Sequence, residues 1–190
     1  MLNNYWTQFY KTHRRQKESS FARLVEETIS TGSVLVDLGC GDGRDTVFFT
    51  EQGIVATGVD KATTGESVSH YIKNNTSPEY VYTRFFWHSI QRKDQLAILK
   101  WTKGTLFIEA RTTEDKKRSK TFRKHKRYYV DIVNLLKDLK DNGFQITSLC
   151  EGTGFAKFKK EDPHLVRPVS YTHLRAHETK ANLVCRLLLE

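Results

Sequence analysis

The stretch that most constrains this chain is Val34–Asp45, reading Val-Leu-Val-Asp-Leu-Gly-Cys-Gly-Asp-Gly-Arg-Asp. An apolar, β-branched run ends in Asp37, Gly39, Gly41 and Gly43 then alternate, and a helix-like stretch opens near Arg44. The order is strand, tight turn, helix start. Glycine at alternate positions lets the backbone reverse sharply and approach a ligand with no Cβ in the way. The free N–H groups of a helix start favour negative charge beside them. A second strand-like run, Ile54–Asp60, also ends in an acid, placed for a bidentate hydrogen bond to ribose hydroxyls. Strands that alternate with helices in this way predict an α/β fold: a mostly parallel, Rossmann-like sheet with helices on both faces.

The spacing decides between cofactors. The dinucleotide fingerprint needs glycine at its sixth position, and counting from Gly39 that position is Arg44. A phosphate-binding P-loop is excluded more firmly, because no Gly-Lys-Ser/Thr follows. Asp37, just before the glycines, can face a cationic amino-acid group, while the N–H groups beyond them can take a carboxylate. A nucleoside cofactor carrying both is S-adenosylmethionine (SAM). The cofactor-binding set is therefore Asp37, Gly39, Cys40, Gly41, Arg44 and Asp60.

Composition sets the outer bounds. A chain of 190 residues with 38% hydrophobic content can bury one real core. No stretch approaches the roughly 18 apolar residues of a membrane span, and Met1–Ser20 lacks the apolar centre of a secretory signal. Cys40, Cys150 and Cys185 show neither metal-type pairing nor an even disulfide count, so no metal and a cytoplasmic setting are expected. The net charge of +9 favours an anionic partner without identifying it.

The C-terminal residues read differently from the rest. Val169–Thr179 (Val-Ser-Tyr-Thr-His-Leu-Arg-Ala-His-Glu-Thr) resembles one frame of a translated transposase-type sequencing adapter, and Leu183–Glu190 resembles the adapter's far end. Residues 168–190 are accordingly set aside as a non-native tail, which takes Cys185, His173 and His177 out of consideration. The domain expected is 1–167, with 1–32 as an N-terminal helical cap. Pro168 stands where an interior strand should continue, so that strand is predicted to be short or displaced.

Along the body, Tyr5, Trp6, Phe9 and Tyr10 form an aromatic cluster, read either as helix packing or as a lid. Phe21, Leu24, Val25 and Ile29 recur at helical spacing behind Ser19 or Ser20 as N-cap. Strands are expected at about Ser33–Leu38, Ile54–Asp60, Tyr80–Phe86, Thr105–Ala110 and Phe144–Cys150, with a last one starting at Leu165. Helices are expected at about Arg44–Gln52, Gln91–Trp101 and Val130–Asn142, with a weaker one within Thr63–Asn75.

Asp37-Leu-Gly39-Cys-Gly41-Asp-Gly43, followed by a strand ending in Asp60, resembles the first two motifs of class I SAM-dependent methyltransferases. Tyr5-Trp6…Phe9-Tyr10…Ser19-Ser20-Phe21-Ala22, Tyr82-Thr-Arg84-Phe-Phe-Trp-His88 and Glu109-Ala-Arg111…Asp115 look like a bacterial subgroup associated with polysaccharide or small-molecule genes. The resemblance implies SAM across the ends of the first strands. It also shows a departure: only about twenty residues separate Asp60 from Tyr80, so one strand–helix unit is shortened or missing and no adenine contact is assigned.

Methyl transfer needs an in-line nucleophile and, for a hydroxyl, removal of its proton. His88 is the general-base candidate by intrinsic pKa, against a helix-start histidine bonded to backbone. Arg84 and Glu109 complete the catalytic candidates, and Arg111, Asp115 and Arg127 the substrate-binding ones. Glu109 and Arg111 flank Ala110 on one side of an extended segment and could instead pair with each other. Glu151, Asp162 and His164 could close the pocket. The expected activity is methyl transfer to oxygen of a small-molecule or glycan acceptor. Lys116–Arg127, the densest charge run, leaves an RNA-directed methyltransferase as an alternative, and the trimmed fold leaves a non-catalytic SAM-binding module.

Overall fold

The computed structural model describes residues 2–12, 16–118, 120 and 126–172. Two N-terminal helices, α1 (Leu2–Thr12) and α2 (Ser20–Glu26), precede the sheet. Then come β1 (Val34–Leu38), α3 (Arg44–Glu51), β2 (Val55–Val59), α4 (Val68–Asn74), β3 (Tyr80–Arg84), α5 (Arg92–Trp101), β4 (Thr105–Arg111), α6 (Ile132–Asp141), β5 (Phe144–Gly152) and β6 (Leu165–Thr172). The strand order is β2-β1-β3-β4-β6-β5. The first four strands are mutually parallel, and β6 runs antiparallel to both β4 and β5.

Local chemistry sets the boundaries. Ser19 caps α2 by accepting the Ala22 N–H, and Asp131 caps α6 by accepting the Asn134 N–H. Gly53 (φ 78°) and Gly143 (φ 82°) follow the ends of α3 and α6 in the left-handed conformation that glycine tolerates. Of the parallel strands, β1, β3 and β4 are buried on both faces, and β2 is exposed on one. Val36, Leu38, Val81, Leu106, Ile108 and Val166 pack against α5 and α6, while Leu35, Tyr82 and Phe107 pack against α2 and α3.

Only α4 and its flanking turns occupy the segment between β2 and β3, so the strand–helix unit expected to be shortened is one short helix. Among the described residues β2 has a single strand neighbour, β1. The last strand corrects an expectation. It does not stop at Pro168; β6 runs on to Thr172 in the sheet interior, with Ser170 and Thr172 buried. Pairing with β4 lapses between Phe107–Val169 and Ala110–Val166, where Pro168 has no N–H to donate, while pairing with β5 continues through Leu149–Pro168. A one-sided gap lets an interior strand accept proline. Residues 168–172 of the set-aside segment therefore belong to the sheet, and its remainder, 173–190, lies outside the described residues.

Candidate active site

The glycine loop joins β1 to α3 at the carboxyl ends of the parallel strands. Gly39, Gly41 and Gly43 all have positive φ (78°, 60° and 74°). A Cβ on Gly39 would run into the Phe86 ring, and one on Gly41 into the Tyr10 hydroxyl of α1. The loop is thus walled by an aromatic from each side, Tyr10 from the N-terminal helix and Phe86 from beyond β3.

Asp60 ties the two strand ends together. Its Oδ2 accepts the Gly41 N–H (3.2 Å) and its Oδ1 the Ala62 N–H (2.8 Å). Burial raises its pKa against the pull of those backbone bonds. Asp37 is 2% exposed and accepts the Thr46 hydroxyl at 2.7 Å. Burial, opposed by that bond and reinforced by the charges of Asp45 and Asp60, pushes its pKa up to about 7. Burial also pushes up the Cys40 thiol and the Tyr10 phenol, the latter helped by the nearby Asp60 charge. Arg44, opening α3, lies 3.3 Å through its Nε from Asp45 Oδ1.

Asp45 and the aromatics Phe85 and Phe86 were not singled out by the sequence. Asp45 accepts the Ser19 N–H, the Ser19 hydroxyl and the Tyr82 hydroxyl, each at 2.8 Å, which pins the start of α2 to α3 and β3. The signal was an acid in the first turn of a helix, where the dipole favours one, opposite an N-cap serine. Phe85 has φ 54°, a strained value for a bulky residue. That turn puts its ring under the guanidinium groups of Arg84 (4.4 Å) and Arg111 (5.3 Å). A cavity of about 210 Å³ opens beside Asp60, lined by Lys61, Val68, Ile72, Phe86 and Ile90.

The ends of β3 and β4 form a chain of ions. Glu109 is fully buried, with Arg84 Nε at 2.8 Å on one oxygen and Arg167 Nε at 2.7 Å on the other. Burial lowers the Arg84 pKa but Glu109 outweighs it, and the net shift is upward. Arg167 also reaches Ser20 Oγ and the Phe155 carbonyl, between the rings of Phe21 and Phe155. Arg111 does not pair with Glu109, the alternative that their spacing left open. It binds Asp115 (2.8 Å) and Glu161 instead, while Arg84 and Arg167 occupy the two oxygens of Glu109. Burial works to raise the Asp115 pKa, but Arg111, Lys120 and the His164 N–H outweigh it and hold it low. Burial, and then the charge of Arg111, lowers the pKa of Arg127.

His88 is 3% exposed, and its Nδ1 accepts the Arg111 backbone N–H at 3.1 Å. A neutral imidazole accepting at Nδ1 carries its proton on Nε2, so it offers a donor there. Its carbonyl accepts the Tyr128 N–H. His164 Nδ1 meets Thr112 Oγ1 at 2.7 Å, with Glu151 at 3.8 Å from its other nitrogen, while Asp162 accepts the Gly154 N–H. Residues 119 and 121–125 of the basic run lie outside the described residues.

The comparisons with known proteins fit this geometry. Residues 2–112 match the family described as tellurite resistance protein TehB. Among solved structures, TehB from Haemophilus influenzae has a TM-score of 0.60 at 14% identity, covering 90% of this chain and 66% of that one. A SAM-dependent methyltransferase from Methanosarcina mazei has a TM-score of 0.62 at 12% identity, covering 80% and 98%. The 1,6-didemethyltoxoflavin-N1-methyltransferase of Burkholderia thailandensis, solved with 1,6-didemethyltoxoflavin and S-adenosylhomocysteine, has a TM-score of 0.59 at 16% identity, covering 80% and 76%. No curated protein matches the sequence. With more than half of its length matched, the chain belongs to the TehB family, on the Rossmann-like fold of class I SAM-dependent methyltransferases.

Proposed function

We propose that this chain is a methyltransferase that binds SAM at the glycine loop and transfers its methyl group to an oxygen of a small-molecule or glycan acceptor. The observation that carries the reading is Asp60: its carboxylate closes the glycine loop onto β2 and stands at the mouth of the 210 Å³ cavity. The residues present fit the cofactor. Asp60 retains lone pairs for ribose hydroxyls, Phe86, Ile90, Val68 and Ile72 offer a flat apolar wall for a purine, and buried Asp37 answers an ammonium group. The start of α3, where the helix dipole favours negative charge and Arg44 adds a cation, suits a carboxylate. Bound there, SAM supplies an electrophilic methyl group on a sulfonium. Solved relatives were crystallised with SAM or S-adenosylhomocysteine, which supports the assignment.

On the acceptor side, the ion chain at the ends of β3 and β4 supports an anionic or readily ionised acceptor rather than one needing a strong base. In the tautomer that its bond to Arg111 selects, His88 is a donor, and Glu109 is held between two arginines. We read the partly exposed Arg84 and Arg127 as the acceptor-facing groups and Arg111, Asp115 and His88 as their support. A second reading, SAM binding without catalysis, is favoured by the same engagement of His88 and Glu109. The RNA-directed alternative loses Lys120, which is committed to Asp115 at 3.0 Å. Calorimetry with SAM, followed by assay of S-adenosylhomocysteine over sugars, carboxylates, tellurite and RNA, separates the three. Turnover on a small acceptor supports the first reading, binding without turnover the second, and salt-sensitive turnover on RNA the alternative.

We further propose that the native sequence gives way near Pro168 to adapter-derived residues. Backbone pairing accepts Val-Ser-Tyr-Thr as readily as a native strand, so residues 168–172 in β6 are compatible with either origin. Re-reading the gene with unrelated primers decides it, and an unchanged 168–190 would overturn the reading.

A further inference from the structure

The open side of β2 is the part of the molecule that the SAM site leaves unexplained. Val55 donates its N–H to the Ser33 carbonyl, and the Val59 carbonyl accepts from Gly39 and Cys40, so the odd residues of the strand address β1. In a parallel ladder the intervening residues turn their N–H and C=O the other way. Those residues are Ala56 and Gly58. The strand's ends are closed locally: Ile54 donates to the Phe49 carbonyl, and the Asp60 N–H is taken by Thr64 Oγ1. Among the described residues no strand pairs with this side.

Proteins guard such edges with charge, proline or a bulge. Val-Ala-Thr-Gly-Val has none of these. Beside it lies uncovered apolar surface. Val34 and Val55, register partners on β1 and β2, are 46% and 57% exposed, and Thr57 on the same face is exposed too.

We propose that the β2 edge pairs with the β2 edge of a second copy of this chain, antiparallel about a two-fold axis at Thr57. The register follows from the outward groups. Setting Ala56 of one copy opposite Gly58 of the other, and the reverse, satisfies both residues of both strands in two hydrogen-bonded pairs. Centring the axis on either Ala56 or Gly58 would satisfy one pair instead of two. With the axis at Thr57, the exposed Lys61 at the end of each strand lies at the end where the other copy carries exposed Glu51. These two symmetric contacts of opposite sign offset the repulsion expected between chains of net charge +9. The valines of both copies then share one face of a continuous sheet. The contact is small, so the dimer is a reversible one.

Sedimentation velocity on the full chain tests this. The wild type should shift from monomer to dimer with concentration. Thr57→Lys places two like charges directly opposite each other, and Thr57→Glu does the same, so each variant should stay monomeric. An equimolar mixture of the two should dimerise again. Because Thr57 is exposed, both should melt as the wild type does. A second measurement holds if a charged variant fails to fold: Thr57→Cys should form an intermolecular disulfide on oxidation, since directly opposed residues bring their Cα atoms within disulfide range. A wild type that is monomeric up to about 1 mM, or charged variants that dimerise like it, would overturn the proposal.

Discussion

The carboxyl ends of β1 and β2 and those of β3 and β4 sit side by side in one sheet, yet their polar groups are arranged on opposite principles. At β1 and β2, acids are gathered against backbone N–H groups and a threonine hydroxyl, with few cations near. Asp37 and Asp60 both have raised pKa values, and glycines leave room for close approach. At β3 and β4, acids and bases are matched almost group for group: Glu109 with Arg84 and Arg167, Arg111 with Asp115 and Glu161. In the proposed function, a cation-bearing ligand completes the first region. The second is largely complete by itself. In the proposed function the unmatched, desolvated acids take the cofactor, whereas the matched ions hold the frame beside it. The same residue types thus carry different meanings according to whether their partners are already in the protein.

If that contrast is right, damage at β3 and β4 should appear first as lost stability. The largest effect is expected for Glu109→Ala, which leaves Arg84 and Arg167 facing each other without their shared carboxylate. Urea denaturation should show a loss of about 3–5 kcal/mol, and a loss under 1 kcal/mol would mean the ion chain is dispensable. His88→Ala strips the acceptor from a buried N–H of Arg111 and should cost about 1–3 kcal/mol by the same measurement. A catalytic base would instead show a fall in turnover at unchanged stability.

Changes at β1 and β2 should act mainly on ligand binding. Gly39→Ala forces a Cβ toward the Phe86 ring at φ 78°. The conformation alone costs about 1–2 kcal/mol, and SAM titration should show a further loss of affinity as Phe86 is displaced. The smallest effect sharpens the comparison most. Asp37 has a folded pKa near 7, above the ordinary carboxyl value, so without ligand its neutral form stabilises the fold at low pH. That contribution is lost as pH rises from about 4 through about 7. A cationic ligand prefers the ionised form, so SAM affinity should rise, by at most about tenfold per pH unit, between pH 6 and 7 and level off by pH 8. Asp37→Asn should flatten that slope. An identical slope in the variant would assign the titration elsewhere.

The glycine loop was legible because its signals are local. Three alternating glycines after a β-branched run, and an acid closing the next strand, lie within Val34–Asp60 and state their geometry without help from distant residues. Helix limits at Ser19, Gly53 and Gly143 were legible for the same reason. What could not be read was partnership across the chain. Arg167 lies 58 residues from Glu109, and Glu161 lies 50 from Arg111. A pairing of Glu109 with Arg111, one of two readings open for these residues, was as far as spacing alone could reach. Tyr10 over Gly41 is likewise a tertiary contact that no periodicity encodes. Pro168 misled in the other direction, because a proline penalty stated for a ladder takes no account of which side of the strand lacks the bond.

The proposed SAM site turns on Asp60, which closes the glycine loop onto β2. Isothermal titration of SAM into the wild type and Asp60→Ala at pH 8, with thermal melting as the control on folding, tests it most directly. Saturable binding to the wild type, weakened in a variant still folded at the titration temperature by about 1–3 kcal/mol, roughly five- to 150-fold, is the expected result. Equal affinity in the two proteins would contradict the account, as would no binding to a folded wild type.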